Sequence, residues 1–466
     1  MSFTESIELT RTHRDVDPVV SLSNVVRVNQ EERIPLVEEE NFPDGGLEAY
    51  TVVLGSFLGL IVNLGIINAI GAVQAYVSTH QLAMVKASTA SWIFSIYLAL
   101  AYVLGIIVGS IFDKKGPMGL MIASTVLIFV GLIASANSTE VYQFILSFIS
   151  LGIGNGIGMT PLIGVISHWF LKKRGNCIGL AMSGGSVGGL VFPLMLRHSY
   201  SKFGYAWAMR IFAFTCLCCM VVSTILVKGR ALEDSAQSVL TQRPLSEQEE
   251  DAESKKRNLV RRLSFLSVFS LSDYKYLYLV AGAFFCEVSL VLLLTYFATY
   301  AIAHGISEST SLLLLTAWNG AGIAGRWVPS YFSDAYGRFN MNILMLSIFN
   351  ISIFVIWLPF GGSAKVLFTF AAVGGFCQGA ISSLLPACLS QITPANEIGS
   401  KFGLLNTITS TGNLFGIPLA SVVINDGSVH NYQNFVILVG CLSSAGLIVW
   451  YMSRYSIVGL RFNVRV

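Results

Sequence analysis

Two charged side chains interrupt apolar stretches of helix length in this chain. Glu287 lies within an apolar run at 276–302, and Arg326 lies within the next run, at 309–333. A charge among apolar residues costs several kcal/mol unless it is paired or faces water, so each one is a candidate for function. Arginine stays charged and offers paired donors to an anion, whereas a desolvated glutamate can take up a proton. We predict that Arg326 binds an anionic group and that Glu287 carries a proton or balances the arginine; the alternative is an ion pair that only joins two helices.

Uncharged polar residues on otherwise apolar runs form a second group of candidates. They are Asn63, Asn68, Asn319, Gln378, Asn406 and Asn413. Asn406 and Asn413 are seven residues apart, so they share one face of a helix. For each residue taken alone, hydrogen bonding between helices and contact with a ligand are equally good interpretations.

One short motif occurs twice, each time at the end of an apolar run. Gly109-Ser-Ile-Phe-Asp113-Lys-Lys-Gly116 recurs 221 residues later as Ser330-Tyr-Phe-Ser-Asp334-Ala-Tyr-Gly337-Arg338. A second set of residues repeats at a constant offset of 224: Gly175, Gly179 and Gly188 recur as Gly399, Gly403 and Gly412. Two offsets that agree to three residues, each about half the chain, indicate a duplicated half.

The motif suits a contact between a carboxylate and a helix end. Asp113 and Asp334 can each accept hydrogen bonds from the N-terminal amides of a neighbouring helix and pair with nearby cations such as Arg338. Glycines at such positions let helix and loop approach closely. We therefore predict such a contact from each of two sets of residues: Gly109, Asp113 and Gly116 in the first half, and Asp334, Gly337 and Arg338 in the second. The alternative is a turn with a solvated aspartate.

The composition is that of a protein with many membrane spans. Of the 466 residues 54% are hydrophobic and 12% are charged, whereas about 25% charged residues is usual in soluble proteins. A membrane helix needs about 20 apolar residues. The sequence predicts twelve such spans: 51–77, 89–112, 118–136, 141–168, 176–197, 206–227, 276–302, 309–333, 340–361, 364–391, 400–424 and 431–453.

The polar segments complete the predicted domain plan. It comprises a tail at 1–43, a six-helix bundle at 44–227, a linker at 228–275, a second six-helix bundle at 276–453 and a tail at 454–466. Lys and Arg concentrate in alternate loops, which places both termini and the linker in the cytoplasm. Within the linker, Ser264 follows a pair of arginines and is a candidate phosphorylation site.

Several classes of site are not expected. The eight cysteines lie in or beside apolar runs, and none has metal-ligand spacing with histidine. The glycines at 152, 154, 156 and 158 lie inside an apolar helix without a preceding strand, so they suit helix packing and do not form a nucleotide-binding loop. We expect no cofactor, no metal and no nucleic acid, and a monomer whose partners are the lipid bilayer and a small solute.

These motifs carry a family resemblance. The repeated motif resembles the loop signature of the major facilitator superfamily, where it latches two bundles in the outward-open state. The resemblance therefore implies that both copies form a gating motif. Pro43-Asp44-Gly45-Gly46 resembles the entry signature of the monocarboxylate porter family, particularly of its fungal members. Trp169-Phe170, followed by Lys173-Arg174-Gly175, resembles that family's second signature.

The resemblance implies an all-α fold of two six-helix bundles with a substrate bound between them, and a secondary transporter that is often coupled to protons. Where family members that carry lactate place a lysine, this chain has Asn68, and Gly322 replaces the carboxylate one turn before Arg326. We predict a secondary active or facilitative carrier of a monocarboxylate-like anion, with a riboflavin-type carrier and a non-transporting nutrient receptor as alternatives. The plasma membrane is the expected location, with the vacuole as the alternative.

Overall fold

The computed structural model describes residues 42–82, 84–85, 87–229, 274–425 and 428–459. Residues 1–41 of the predicted tail, most of the predicted linker with Ser264, and the last seven residues lie outside the described part. The side chain of Asn413 lies outside it as well. Every described residue falls in the compact unit Glu39–Val466.

The first half consists of six helices, which we number α1 to α6. They are α1, Leu47–Thr79; α2, Ala87–Val103 continued by Gly105–Lys115; α3, Met118–Ala136; α4, Val141–Gly164 continued by Ile166–Trp169; and α5 and α6, which together form Arg174–Leu226. The division between α5 and α6 lies at Gly204, whose φ of +72° breaks the helix.

The second half has the same order. It comprises α7, Tyr274–Ala303; α8, Glu308–Tyr336; α9, Arg338–Ile351 continued by a π-helical turn at Ser352–Trp357 and by Leu358–Phe360; α10, Ala364–Ile392; α11, Ile398–Ile424; and α12, Val429–Val458. Ser307 and Ser428 cap α8 and α12, each by accepting a hydrogen bond from a backbone amide of the first turn.

These helices agree closely with the spans that the sequence predicts. Within the described residues, ten helices are long and apolar enough to cross a membrane. One of the ten contains both α5 and α6, and α8 is of spanning length but more polar than the rest. Counting α5, α6 and α8 separately gives twelve helices. The all-α prediction is confirmed.

Glycines shape the ends of the helices that carry the gating motif. Gly116 ends α2 and Gly337 ends α8, with φ values of +74° and +98°. Side chains rarely tolerate this conformation, so these two glycines serve the turn itself. Gly109 serves a different purpose: its Cα lies against the backbone carbonyl of Gly399 in α11, where a Cβ would collide.

The two halves meet where the gating motif lies. We call this side of the molecule, which carries Asp113 and Asp334, the motif end; it is the side predicted to be cytoplasmic. Here α2 packs on α11 through Gly105 and Gly403, and α5 packs on α8 through Gly179 and Ser330. Small residues let helix backbones approach closely, which is the packing the repeated glycines predict.

Candidate functional site

Arg326 is buried between the two halves. Its side chain is 6% exposed, and it lies on α8 facing α5. Its terminal nitrogen Nη1 donates a hydrogen bond of 2.8 Å to the backbone carbonyl of Met182. Its Nε has no hydrogen-bond partner among the described residues. The guanidinium therefore links the halves and keeps a buried donor for a further acceptor.

Glu287 and Tyr102 lie within electrostatic range of this guanidinium. Arg326 interacts with both groups, and Tyr102 also interacts with Glu287. Glu287 is half-buried on α7, and Tyr102 is half-buried on α2. The carboxylate of Glu287 does not approach Arg326 to the 4.0 Å of an ion pair. A simple ion pair, the alternative interpretation of these two charges, is therefore not formed in this conformation.

Asn68 approaches the same place from α1. Its amide nitrogen donates a 3.2 Å hydrogen bond to the carbonyl of Gly185 on α5. A Cβ on Gly185 would lie 2.7 Å from Nη1 of Arg326. Gly185 thus has Asn68 on one side and Arg326 on the other. We call Arg326, Glu287, Tyr102, Asn68 and Gly185 the arginine site.

Asn63 does not belong to the arginine site. Its side chain is 0% exposed, and Gly158 of α4 packs against its amide nitrogen. Neither its amide nitrogen nor its amide oxygen has a partner among the described residues. Asn63 therefore faces the interior of the first half in this conformation, and its contact with a solute stays a prediction.

The remaining polar candidates make local contacts. Asn319 bonds to the carbonyl of Leu315 in its own helix, and Gln378 bonds to Ser382, one turn further along α10. Asn319 lies seven residues before Arg326 and so on the same face of α8. Asn406 is half-buried on α11.

Asp113 forms the first of two latches between the halves. Its two carboxylate oxygens accept hydrogen bonds from the backbone amides of Gly399, at 2.8 Å, and Ser400, at 2.7 Å. The hydroxyl of Ser400 donates a third. Both amides belong to the first turn of α11, where the helix dipole favours a negative charge. The structure therefore forms the contact that the sequence predicts for this carboxylate.

Asp334 forms the second latch with the other pair of helices. It accepts hydrogen bonds from the amides of Gly175, at 2.9 Å, and Asn176, at 2.8 Å, in the first turn of α5. Arg338 pairs with the same carboxylate at 3.2 Å and also donates to the carbonyl of Leu171 at 2.7 Å. Ser330, which replaces the first glycine of the motif, leaves both backbone hydrogen bonds in place.

The two segments that resemble family signatures, one around Asp44 and one around Arg174, contact each other. The Asp44 carboxylate accepts hydrogen bonds from the amides of Leu171 and Lys172, each at 2.8 Å. Arg174 is 2% exposed and donates to three carbonyls, those of Ser167, Phe170 and Ser390. Lys173 is exposed, while Gly46, with a φ of +93°, directly precedes α1.

Sequence reasoning missed Tyr102 and the role of Asp44. Tyr102 looks like one of many aromatic residues in an apolar run, and nothing in its spacing singles it out. His168, next to the second signature, is 8% exposed and stacks on Phe112 with ring centroids 5.3 Å apart. A repeated aromatic pair is a further sign of the duplication: Tyr76 and His80 at the end of α1 recur 224 residues later as Tyr300 and His304 at the end of α7, and both pairs stack.

Comparison with known proteins decides the family. The family model described as Major Facilitator Superfamily matches residues 52–367 and 331–457. The chain belongs to the major facilitator superfamily. It is thus a multi-pass membrane transporter of small solutes and not an enzyme. The narrower resemblance to monocarboxylate porters is not specifically supported by this match.

Two fungal relatives and one solved structure illustrate the family. The chain is 38% identical to the riboflavin transporter MCH5 of Saccharomyces cerevisiae, over 91% of this chain and 81% of the relative. It is 31% identical to MFS-type transporter 1 of Ophiocordyceps sp., over 91% of this chain and 88% of the relative. The proton:xylose symporter XylE bound to 6-bromo-6-deoxy-D-glucose shares the fold, with a TM-score of 0.64, 15% identity, and coverage of 87% of this chain and 95% of that one.

Proposed function

We propose that this superfamily member carries a riboflavin-type solute across the plasma membrane by alternating access, with the arginine site as its binding site. The observation that carries the proposal is the buried guanidinium of Arg326, which has an unpartnered Nε and lies where α1, α2, α5, α7 and α8 converge. Binding at the contact between the halves is what alternating access requires.

The chemistry of the arginine site suits a flat ring that carries carbonyl groups. An isoalloxazine ring presents two carbonyl oxygens and an imide N–H on one edge, and a guanidinium can donate to such oxygens. Asn68 carries both a donor and an acceptor, and Tyr102 offers an aromatic face as well as a hydroxyl. The 38% identity to a riboflavin transporter over most of the chain supports this class of solute.

A monocarboxylate-like anion is the second candidate. A carboxylate would accept from Arg326 more strongly than a neutral carbonyl, because the bond is charge-assisted. Glu287 lies in electrostatic range of Arg326, so a proton on Glu287 would remove a competing negative charge as the anion binds. This arrangement would make the carrier a proton symporter, whereas uniport needs no titration of Glu287.

Uptake into proteoliposomes decides between these candidates. The purified chain is reconstituted and given radiolabelled riboflavin or labelled lactate and pyruvate, each with and without an inward proton gradient. We expect riboflavin uptake above that of empty liposomes, and loss of that uptake in Arg326→Ala. The matched control is Arg210→Ala, because Arg210 is a half-buried arginine that bonds to Asn137 of the same half.

Each outcome has a definite meaning. Uptake of carboxylates alone would replace riboflavin by the second candidate. Saturable binding without uptake of any of these solutes would overturn the carrier proposal in favour of a receptor. Full uptake in Arg326→Ala at normal protein levels would remove the arginine site from the mechanism.

A further inference from the structure

The segment before α1 is bound to the turn that leads from α4 into α5. Asp44 accepts hydrogen bonds from the amides of Leu171 and Lys172, each at 2.8 Å, and approaches the amide of Lys173 at 3.5 Å. The amide of Asp44 itself donates to the carbonyl of Trp169 at 3.2 Å. One carboxylate oxygen thus caps three successive amides, which we call the 171–173 turn.

The second half of the molecule holds the same turn from the other side. Arg338 donates to the carbonyl of Leu171 at 2.7 Å. The next two residues after Arg174, Gly175 and Asn176, donate their amides to Asp334. Among the described residues, every hydrogen bond from Asp334 and Arg338 to the first half therefore falls on residues 171–176, directly beside the amides that Asp44 fixes.

Arg174 adds a third connection at this place. Its Nη1 donates to the carbonyl of Ser390 at the motif end of α10, at 2.6 Å, and its Nε donates to Phe170. Phe42, two residues before Asp44, lies with its ring centroid 5.5 Å from the Arg174 guanidinium carbon. The segment before α1 thus touches both ends of the turn and the arginine that bridges the halves.

We propose that Asp44 is a positioning residue of the motif-end gate. It holds the 171–173 turn in the conformation that Asp334, Arg338 and Ser390 of the second half bind, so it stabilises the closed gate without touching the second half. A hydrogen bond to a charged group is stronger than one between neutral groups, and three amides share this carboxylate. Loss of Asp44 should therefore release the turn and let the motif end open more often.

Alkylation of a native cysteine tests the proposal without any substrate. Cys177 lies in the first turn of α5 and is 2% exposed, whereas Cys216 is 0% exposed in the interior of the first half. The purified full chain in nanodiscs is treated with a maleimide, and mass spectrometry follows each cysteine separately. We compare Asp44→Ala and Asp44→Asn with Glu48→Ala, which removes an exposed carboxylate in the first turn of α1.

We expect Asp44→Ala to raise the alkylation rate of Cys177 by about tenfold, which corresponds to about 1.4 kcal/mol, while that of Cys216 stays unchanged. Asp44→Asn should lie between, since its amide oxygen can still accept, and Glu48→Ala should match the parent chain. An unchanged rate at Cys177, or an equal rise at Cys177 and Cys216, would overturn the proposal, because the second result means general loosening of the fold. The inference rests on the proposed alternating access, in which the motif end opens. The alkylation rate needs no substrate, so it can still be measured if the uptake assay fails.

Discussion

The guanidinium of Arg326 bonds to the protein through one donor and leaves another donor without a partner among the described residues. Nη1 is occupied by the carbonyl of Met182, and Nε has no partner among the described residues. A buried donor without a partner costs about 1–3 kcal/mol, so a ligand oxygen that accepts from Nε removes this cost. Under the proposed function, the residue that binds the solute also contacts α5, so binding would influence how the halves meet.

Gly185 leaves room for this guanidinium because it has no side chain. A Cβ there would lie 2.7 Å from Nη1 of Arg326 and 2.5 Å from Cβ of Leu64, so Gly185→Ala should push the guanidinium away from Met182. Since a shift of about 1 Å in a binding group can cost about a hundredfold, we expect transport to fall by at least about tenfold. Initial uptake rates at equal reconstituted amounts measure this.

Gly320→Ala provides the matched control for Gly185→Ala. Gly320 lies on α8 with Arg326, and a Cβ there would meet no described atom within 4 Å. Its uptake should equal that of the parent chain. Equal uptake in Gly185→Ala as well would contradict the assigned position of the guanidinium.

Glu287 is the group in the arginine site that can take up a proton. If it couples transport to protons, Glu287→Gln mimics the protonated state permanently. We expect that a proton gradient then no longer concentrates the solute, while exchange of labelled for unlabelled solute continues. Uptake with and without the gradient, and counterflow, separate the two activities. Glu48→Gln is the control, and retained gradient-driven accumulation in Glu287→Gln would limit Glu287 to a structural role.

The sequence identifies the two charged residues of the arginine site, but it does not identify which uncharged residues lie beside them. Arg326 and Glu287 are visible because each is a charge in an apolar run, and burial makes such charges costly. Asn63 and Asn68 look equivalent in the sequence, since both are amides in the same apolar helix. Only packing separates them: Asn63 faces Gly158 inside the first half, and Asn68 faces Gly185 next to Arg326.

At the scale of helices, the two contacts across the motif end are built differently. The α2–α11 contact is glycine on glycine, with Gly105 against Gly403 and Gly109 against Gly399. The α5–α8 contact places Ser330 against Gly179, and Arg326 lies one turn before Ser330. The repeat offset predicts that both contacts exist. The repeat offset does not predict that only the α5–α8 contact contains a buried arginine, Arg326.

Gly403→Ala should separate α2 from α11. A Cβ on Gly403 would collide with the backbone carbonyl of Gly105, and a backbone atom cannot rotate away as a side chain can. We expect the first latch to weaken, so that the amides of Gly399 and Ser400 exchange their hydrogens faster. Hydrogen-exchange mass spectrometry of the peptide that contains them measures this. Gly119→Ala on α3, where a Cβ meets no described atom within 4 Å, should leave the exchange unchanged.

Helix bounds follow from the sequence because hydropathy is a local property. The predicted span at 118–136 is the observed Met118–Ala136, and 364–391 differs from Ala364–Ile392 by one residue. The link from Asp44 to the 171–173 turn is not local, since it joins residues that are 127 and 128 positions apart. Sequence periodicity cannot predict such a long-range contact, although both segments belong to signatures that carry the family resemblance.

For the whole molecule, the two latches act as a symmetric pair that holds one end of the halves together. Asp113 joins α2 to α11, and Asp334 joins α8 to α5, in both cases through the first-turn amides of the partner helix. The described hydrogen bonds between the halves include these latches, Arg174 with Ser390 and Arg326 with Met182. If the halves rock about the arginine site, releasing the latches must bring the opposite ends closer.

Asp113→Asn combined with Asp334→Asn should show this motion. Each change keeps one acceptor oxygen but removes the charge, which weakens hydrogen bonds worth about 1.5–3 kcal/mol each when the acceptor is ionised. A total loss of a few kcal/mol would shift a two-state equilibrium by at least about tenfold. The exposed Cys218 and Cys441 are first replaced by serine. Spin labels are then attached at Lys202→Cys and Lys365→Cys, two exposed positions away from the motif end. Pulsed electron paramagnetic resonance should show a new population with a short distance between the labels. Glu48→Gln removes an exposed carboxylate outside the latches and should leave the distances of the parent chain. If the latch variant also keeps those distances while it stays folded, the latches do not control the exchange between conformations.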